Sequence, residues 1–131
     1  MEYSSEVVRR FDAPRNAGEL PHGTPGLVAG EAEDRTLHVW IRFQLQVIDG
    51  AIQAARFAAF GCPHTVAAAS LVAERLEGRS VGDVALVDVR ALQHDLGVPV
   101  EKLGKLLRIE DALTACRRAL DRLDTDVKKD D

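Results

Sequence analysis

From Thr36 onward the chain alternates. Leu37, Val39, Ile41, Phe43, Leu45 and Val47 are apolar, and His38, Trp40, Arg42, Gln44 and Gln46 fall on the opposite face. A period of two predicts a strand buried on one side, as in an antiparallel sheet. Asp49-Gly50 follows, a pair suited to the positive φ angles of a tight hairpin, and residues 51–60 supply the returning strand. A third, short edge strand is expected within residues 25–32, around Leu27 and Val28. It would end a loop over 15–30 that is punctuated by Gly18, Pro21, Gly23, Pro25 and Gly26. Loops this long in a small domain often serve a function.

Helical patterns flank these strands. Ser4 or Ser5 caps a first helix running to about Phe11, which Pro14 ends by steering its predecessor away from helical angles. After Gly61-Cys62-Pro63-His64-Thr65, the alanine-rich stretch 66–77 predicts a helix with Thr65 as N-cap and Gly78 just past its end. A short helix starts at Ser80 and another spans 89–96. Beyond Gly97 and Pro99, residues 100–123 form the longest helix. Leu103, Leu106, Leu107, Leu113, Cys116, Leu120 and Leu123 recur on it at helical spacing and form a buried stripe. Strands first and helices afterwards give an α+β sandwich. One domain is expected over 1–124, with 125–131 a charged, disordered tail.

Composition narrows the function classes. The 131 residues are 46% hydrophobic and 29% charged, which is globular. With 17 basic against 21 acidic residues the net charge is −4, giving no support to nucleic-acid binding. No apolar run approaches the ~20 residues that span a bilayer. The opening Met1-Glu2-Tyr3-Ser4-Ser5-Glu6 lacks the basic and apolar regions of a secretory signal, and two cysteines cannot staple a small secreted scaffold. A cytoplasmic protein is expected. Neither HExxH, paired CxxC, GxGxxG nor a Walker loop occurs, and no Ser, His and acid stand at recognisable spacing, so the chain is not expected to be an enzyme.

Cys62 is the most informative position. It follows a strand, precedes Pro63 and stands ahead of a helix N-terminus, whose positive end favours a thiolate. Cys116 lies in the apolar stripe of the last helix and reads as a core residue. His64 stands two residues from Cys62, but a Cys-x-His pair falls short of the four ligands of a usual zinc site, and an exposed neighbour of the helix cap is the simpler reading. His38 is expected on the polar strand face, His94 on a short helix and His22 in the loop. Glu31, Glu33, Asp34 and Arg35 read as a solvated run ahead of the long strand. Lys102, Lys105 and Arg108 read as an exposed face of the last helix.

Several collinear blocks carry a resemblance. Tyr3-Ser4-Ser5-Glu6-Val7-Val8 and Asp12-Ala13-Pro14-Arg15-Asn16-Ala17-Gly18 come first. The block from Phe57 to Gly61-Cys62, then Ala67-Ala68-Ala69-Ser70-Leu71-Val72 and Glu77-Gly78-Arg79-Ser80, follows; Glu110-Asp111-Ala112-Leu113 comes last. Over nearly its whole length the sequence resembles the IscU/NifU N-terminal family of iron–sulfur cluster scaffolds. The resemblance implies an IscU/SufE-like sandwich, a three-stranded antiparallel sheet packed with helices and ending in a long helix. It also implies an iron–sulfur cluster, or a single iron or zinc ion, as cargo. The partners implied are a cysteine desulfurase and other cluster-assembly proteins, with no nucleic acid or membrane, and a homodimer is allowed in which two copies of Cys62 share the ligand work.

The family holds its cargo with three cysteines, an aspartate and a histidine. Matched by position, the first cysteine falls on Glu33 and the aspartate on Arg35. Cys62 takes the second cysteine, Lys105 the third and Gly104 the histidine. The family's chaperone-recognition segment is altered to Val98-Pro99-Val100-Glu101-Lys102. Glu33, Cys62 and His64 make a poor cluster cage and at most a weak site for one ion. Arg35 and Lys105 would repel a metal, and near Cys62 they would favour a thiolate or persulfide. Three functions follow: a degenerate assembly scaffold working through Cys62 with a partner's help; a single-cysteine persulfide acceptor similar to SufE; or an interaction module using the 15–30 loop.

Overall fold

The computed structural model describes residues 3–129. Helix α1 (Ser5–Asp12) is capped by Ser4, whose side chain accepts the Val7 N–H. Strands β1 (Leu27–Asp34), β2 (Val39–Ile48) and β3 (Ala51–Phe60) form an antiparallel sheet in the order β1-β2-β3. Helix α2 (Pro63–Leu76), a 3₁₀ turn (Val81–Leu86), α3 (Val89–Leu96), a second 3₁₀ turn (Val100–Lys102) and α4 (Leu103–Lys129) follow. The helical backbone of α4 runs on into the segment expected as a tail, whose residues 130–131 lie outside the described ones.

The alternation of β2 decides the layers. Ile41, Phe43 and Leu45 are buried under the helices, with α4 packed on β1 and β2, and α2 on β3. Asp49 and Gly50 both take positive φ and close the expected hairpin. One residue is bulged in β3: Val47 pairs with Ile52, yet Gln46 pairs with Ala54. The extra residue resets the alternation, so that Ile52, Ala55 and Phe57 all point into the core.

β1 is a full eight-residue strand instead of a short stretch at Leu27 and Val28, and it contains Glu31, Glu33 and Asp34. Low strand propensity hid it; its pairing with β2 and the cover of α4 form it nonetheless. At Gly30 the helix backbone comes so close that a Cβ would lie 2.3 Å from the Cys116 nitrogen. β2 starts at Val39, because His38 takes a positive φ and belongs to the connecting turn.

The 13–26 loop is fastened along its length. Residues 16–18 pair with the free edge of β3: Phe57 N–H donates to the Asn16 carbonyl, and Gly18 N–H to that of Phe57, each at 2.9 Å. The loop then meets the outer sheet face, where Leu20 N–H donates to Gln44 Oε1 at 2.7 Å and Glu19 pairs with Arg42. It covers one strand edge and part of the outer face.

Candidate functional site

β3 ends at an exposed Phe60, and Gly61-Cys62 turns the chain directly into α2. The helix begins at Pro63, three residues before the expected start, because proline is suited to a first helical position. Cys62 is therefore itself the N-cap, and Thr65 sits inside the first turn. The Cys62 carbonyl accepts N–H groups from Thr65 at 3.0 Å and Val66 at 3.2 Å. Its Sγ lies 3.6 Å from Thr65 Oγ1.

Cys62 is half-buried, and partial burial is the largest influence on its thiol, pushing the pKa up. Several stabilising groups together outweigh it. The Thr65 backbone and hydroxyl, the His64 backbone N–H and the Lys105 charge draw the pKa below its ordinary value. Lys105, at the start of α4, and Lys102, at the end of the 3₁₀ turn before it, are half-buried, not on a fully exposed helical face. Close to them is the turn joining β1 and β2, with Gly104 facing Leu37.

His64 is buried, at 1% exposure, not the exposed cap neighbour expected from sequence. Its ring stacks at a tilt against Tyr3 with centroids 4.7 Å apart, and neither ring nitrogen has a hydrogen-bond partner. Burial, then the charges of Lys102 and Lys105, hold its pKa below the usual value against a smaller opposing pull from Glu101. The imidazole is neutral at neutral pH.

Glu33 and Arg35 are placed differently. Glu33 pairs with Trp40 in register, on the outer face of the sheet, and its carboxylate takes the Arg35 guanidinium at 3.2 Å. Arg35 is 90% exposed there, and Lys105, not Arg35, is the cation acting on Cys62. Among the described residues no group of three or more His, Cys, Asp and Glu side chains is placed to hold a metal ion. Cys62, His64 and Lys105 come together; Glu33 and Arg35 answer mainly to each other.

Sequence reasoning missed Asp34, Thr65 and Tyr3. Asp34 shares the inward parity of Val28, Gly30 and Ala32; its carboxylate accepts Leu37 N–H at 3.0 Å and faces Arg108 at 3.5 Å. Strand alternation could have separated it from the solvated run, had β1 been drawn to its full length. Arg108, read as exposed, is held between Asp34 and Asp111. Cys116 is a core residue: its thiol donates to the Phe43 carbonyl, and burial pushes its pKa up to about 12.

The NifU-like N terminal domain family matches residues 2–122 of the chain. Iron-sulfur cluster assembly scaffold protein IscU of Azotobacter vinelandii is 29% identical over 119 residues, covering 90% of this chain and 93% of that protein. The protein of the same name from Rickettsia prowazekii is 32% identical over 116 residues and 88% of each chain. Among solved structures, the N-terminal part of a nitrogen-fixing NifU-like protein from Brucella abortus superposes with a TM-score of 0.68. It is 14% identical, over 91% of this chain and 94% of that one, a likeness of fold.

Proposed function

Since this chain belongs to the NifU-like N-terminal domain family, we propose that it serves iron–sulfur cluster assembly through a single thiol, Cys62. The observation that carries the reading is a half-exposed sulfur at a helix N-cap, held towards its thiolate by Thr65, His64 N–H and Lys105. Cys62 takes sulfur from a cysteine desulfurase. Its thiolate attacks the outer sulfur of the donor's persulfide; a new S–S bond forms, the donor's S–S bond breaks, and the donor cysteine leaves as a thiolate.

An iron–sulfur cluster is the cargo of this process. Thiolates are its usual ligands, and Cys62 alone falls short of a cage, so the remaining ligands come from a partner or a second copy. The chain transfers material without an enzymatic turnover of its own. Two free thiols suit the cytoplasm, and no helix among the described residues is long and apolar enough to cross a membrane. The pinning of residues 16–20 to the sheet speaks against a module that binds its partner through a free 15–30 loop.

Anaerobic incubation with iron and sulfide, followed by gel filtration and visible absorbance, tests the division of labour. As a monomer the chain is expected to retain no cluster chromophore. A chromophore that survives filtration on the isolated monomer would contradict the reading.

A further inference from the structure

We infer that Thr65 is the positioning residue for Cys62, fixing the sulfur at the first turn of α2 through its hydroxyl. The inference rests on the reading of Cys62 as the sulfur-handling thiol. Thr65 is fully buried, at 0% exposure, and Cys62 Sγ at 3.6 Å is the hydrogen-bond partner of its hydroxyl. A threonine at this place in a helix can instead bond back to a carbonyl one turn earlier. Here the hydroxyl faces the thiol.

The steric surroundings hold it there. A Cβ added to Gly61 would meet Thr65 Cβ and Cγ2 at 3.3 Å and Oγ1 at 3.4 Å. The bare Gly61 thus leaves just the room that the threonine side chain fills. Branching at Cβ restricts the side chain to few rotamers, and complete burial removes the remaining freedom. Gly61, Cys62 and Thr65 form one unit: the glycine admits the threonine, and the threonine fixes the sulfur. When Cys62 gives its proton to solvent, the Thr65 hydroxyl donates to the thiolate. During sulfur transfer the same contact holds the nucleophile in place while the donor S–S bond breaks.

The test uses the full chain and iodoacetamide, which reads thiolate availability without any desulfurase. Sulfur displaces iodide, and peptide mass spectrometry follows the rate at Cys62. Thr65→Val keeps the shape and removes the hydroxyl, and alkylation is expected to slow about fivefold, the factor an ordinary hydrogen bond is worth. Thr65→Ser restores the hydroxyl and is expected to stay within about twofold of the parent. If Thr65→Val does not fold, Thr65→Ala reads the same loss. A hydroxyl-free variant as fast as the parent overturns the inference, and so does a serine variant as slow as the valine one. Slow alkylation of Thr65→Val, alongside no sulfur uptake by the parent, would keep the role of Thr65 and overturn the sulfur-transfer reading alone.

Discussion

Cys62 and Cys116 carry the same thiol into opposite surroundings. Cys62 faces backbone donors and a lysine at a helix start, whereas Cys116 is enclosed by core residues behind Gly30. Brief treatment of folded protein with iodoacetamide should therefore label Cys62 alone, with Cys116 reacting only in denaturant; comparable labelling of both in the native state would refute the contrast. The raised pKa of Cys116 also has a sign. Its protonated form is favoured by folding, so its contribution to stability is complete below the ordinary thiol value of 9.0 and is lost as pH rises towards about 12. Urea unfolding across that range should show a steeper alkaline decline for the parent than for Cys116→Ala. Equal slopes would mean that the thiol is not insulated as described. Cys62 could be singled out from its neighbours in the sequence alone, Gly61 and Pro63 marking a turn into a helix. Thr65 could not, because its role depends on the helix starting at Pro63, which makes Cys62 the cap.

The elements with a clear period were legible. β2 announced itself by alternation, the hairpin by Asp49-Gly50, and β3 and α3 have the expected bounds. β1 was largely hidden, since Ala29, Gly30, Glu31 and Glu33 have little intrinsic taste for a strand and their order comes from β2 and α4. Its tightest point is Gly30. Gly30→Ala should push β1 and α4 apart and cost about 2–4 kcal/mol in chemical denaturation. A loss below about 0.5 kcal/mol would contradict so close an approach. Asp34→Ala removes both the cap of the β1–β2 turn and the partner of Arg108. It should cost about 1–2 kcal/mol, with Glu33→Ala, on the outer face, costing less than half as much.

For the molecule as a whole, the family resemblance in collinear blocks correctly gave an α+β sandwich, a three-stranded antiparallel sheet packed with helices and ending in a long one. The candidate site was only partly legible. Position matching put Glu33 and Arg35 beside Cys62, but strand parity turns Glu33 to the outer face and leaves Arg35 in solvent, while Lys105 arrives from α4. Register and helix packing set these directions, and neither is written in local spacing. Among the residues of α4 whose burial is described, the last buried one is Cys116 and partly buried packing continues to Leu120; ending the chain after Asp124 should leave the melting temperature within about 2 °C. A larger drop would place residues 125–131 within the folding unit. The central claim concerns where sulfur goes. Incubation with a cysteine desulfurase and free cysteine, followed by intact-mass and peptide mass spectrometry without reductant, should find a single added sulfur atom on Cys62 and none on the Cys62→Ser variant. An unmodified chain, or sulfur carried on Cys116, would contradict it.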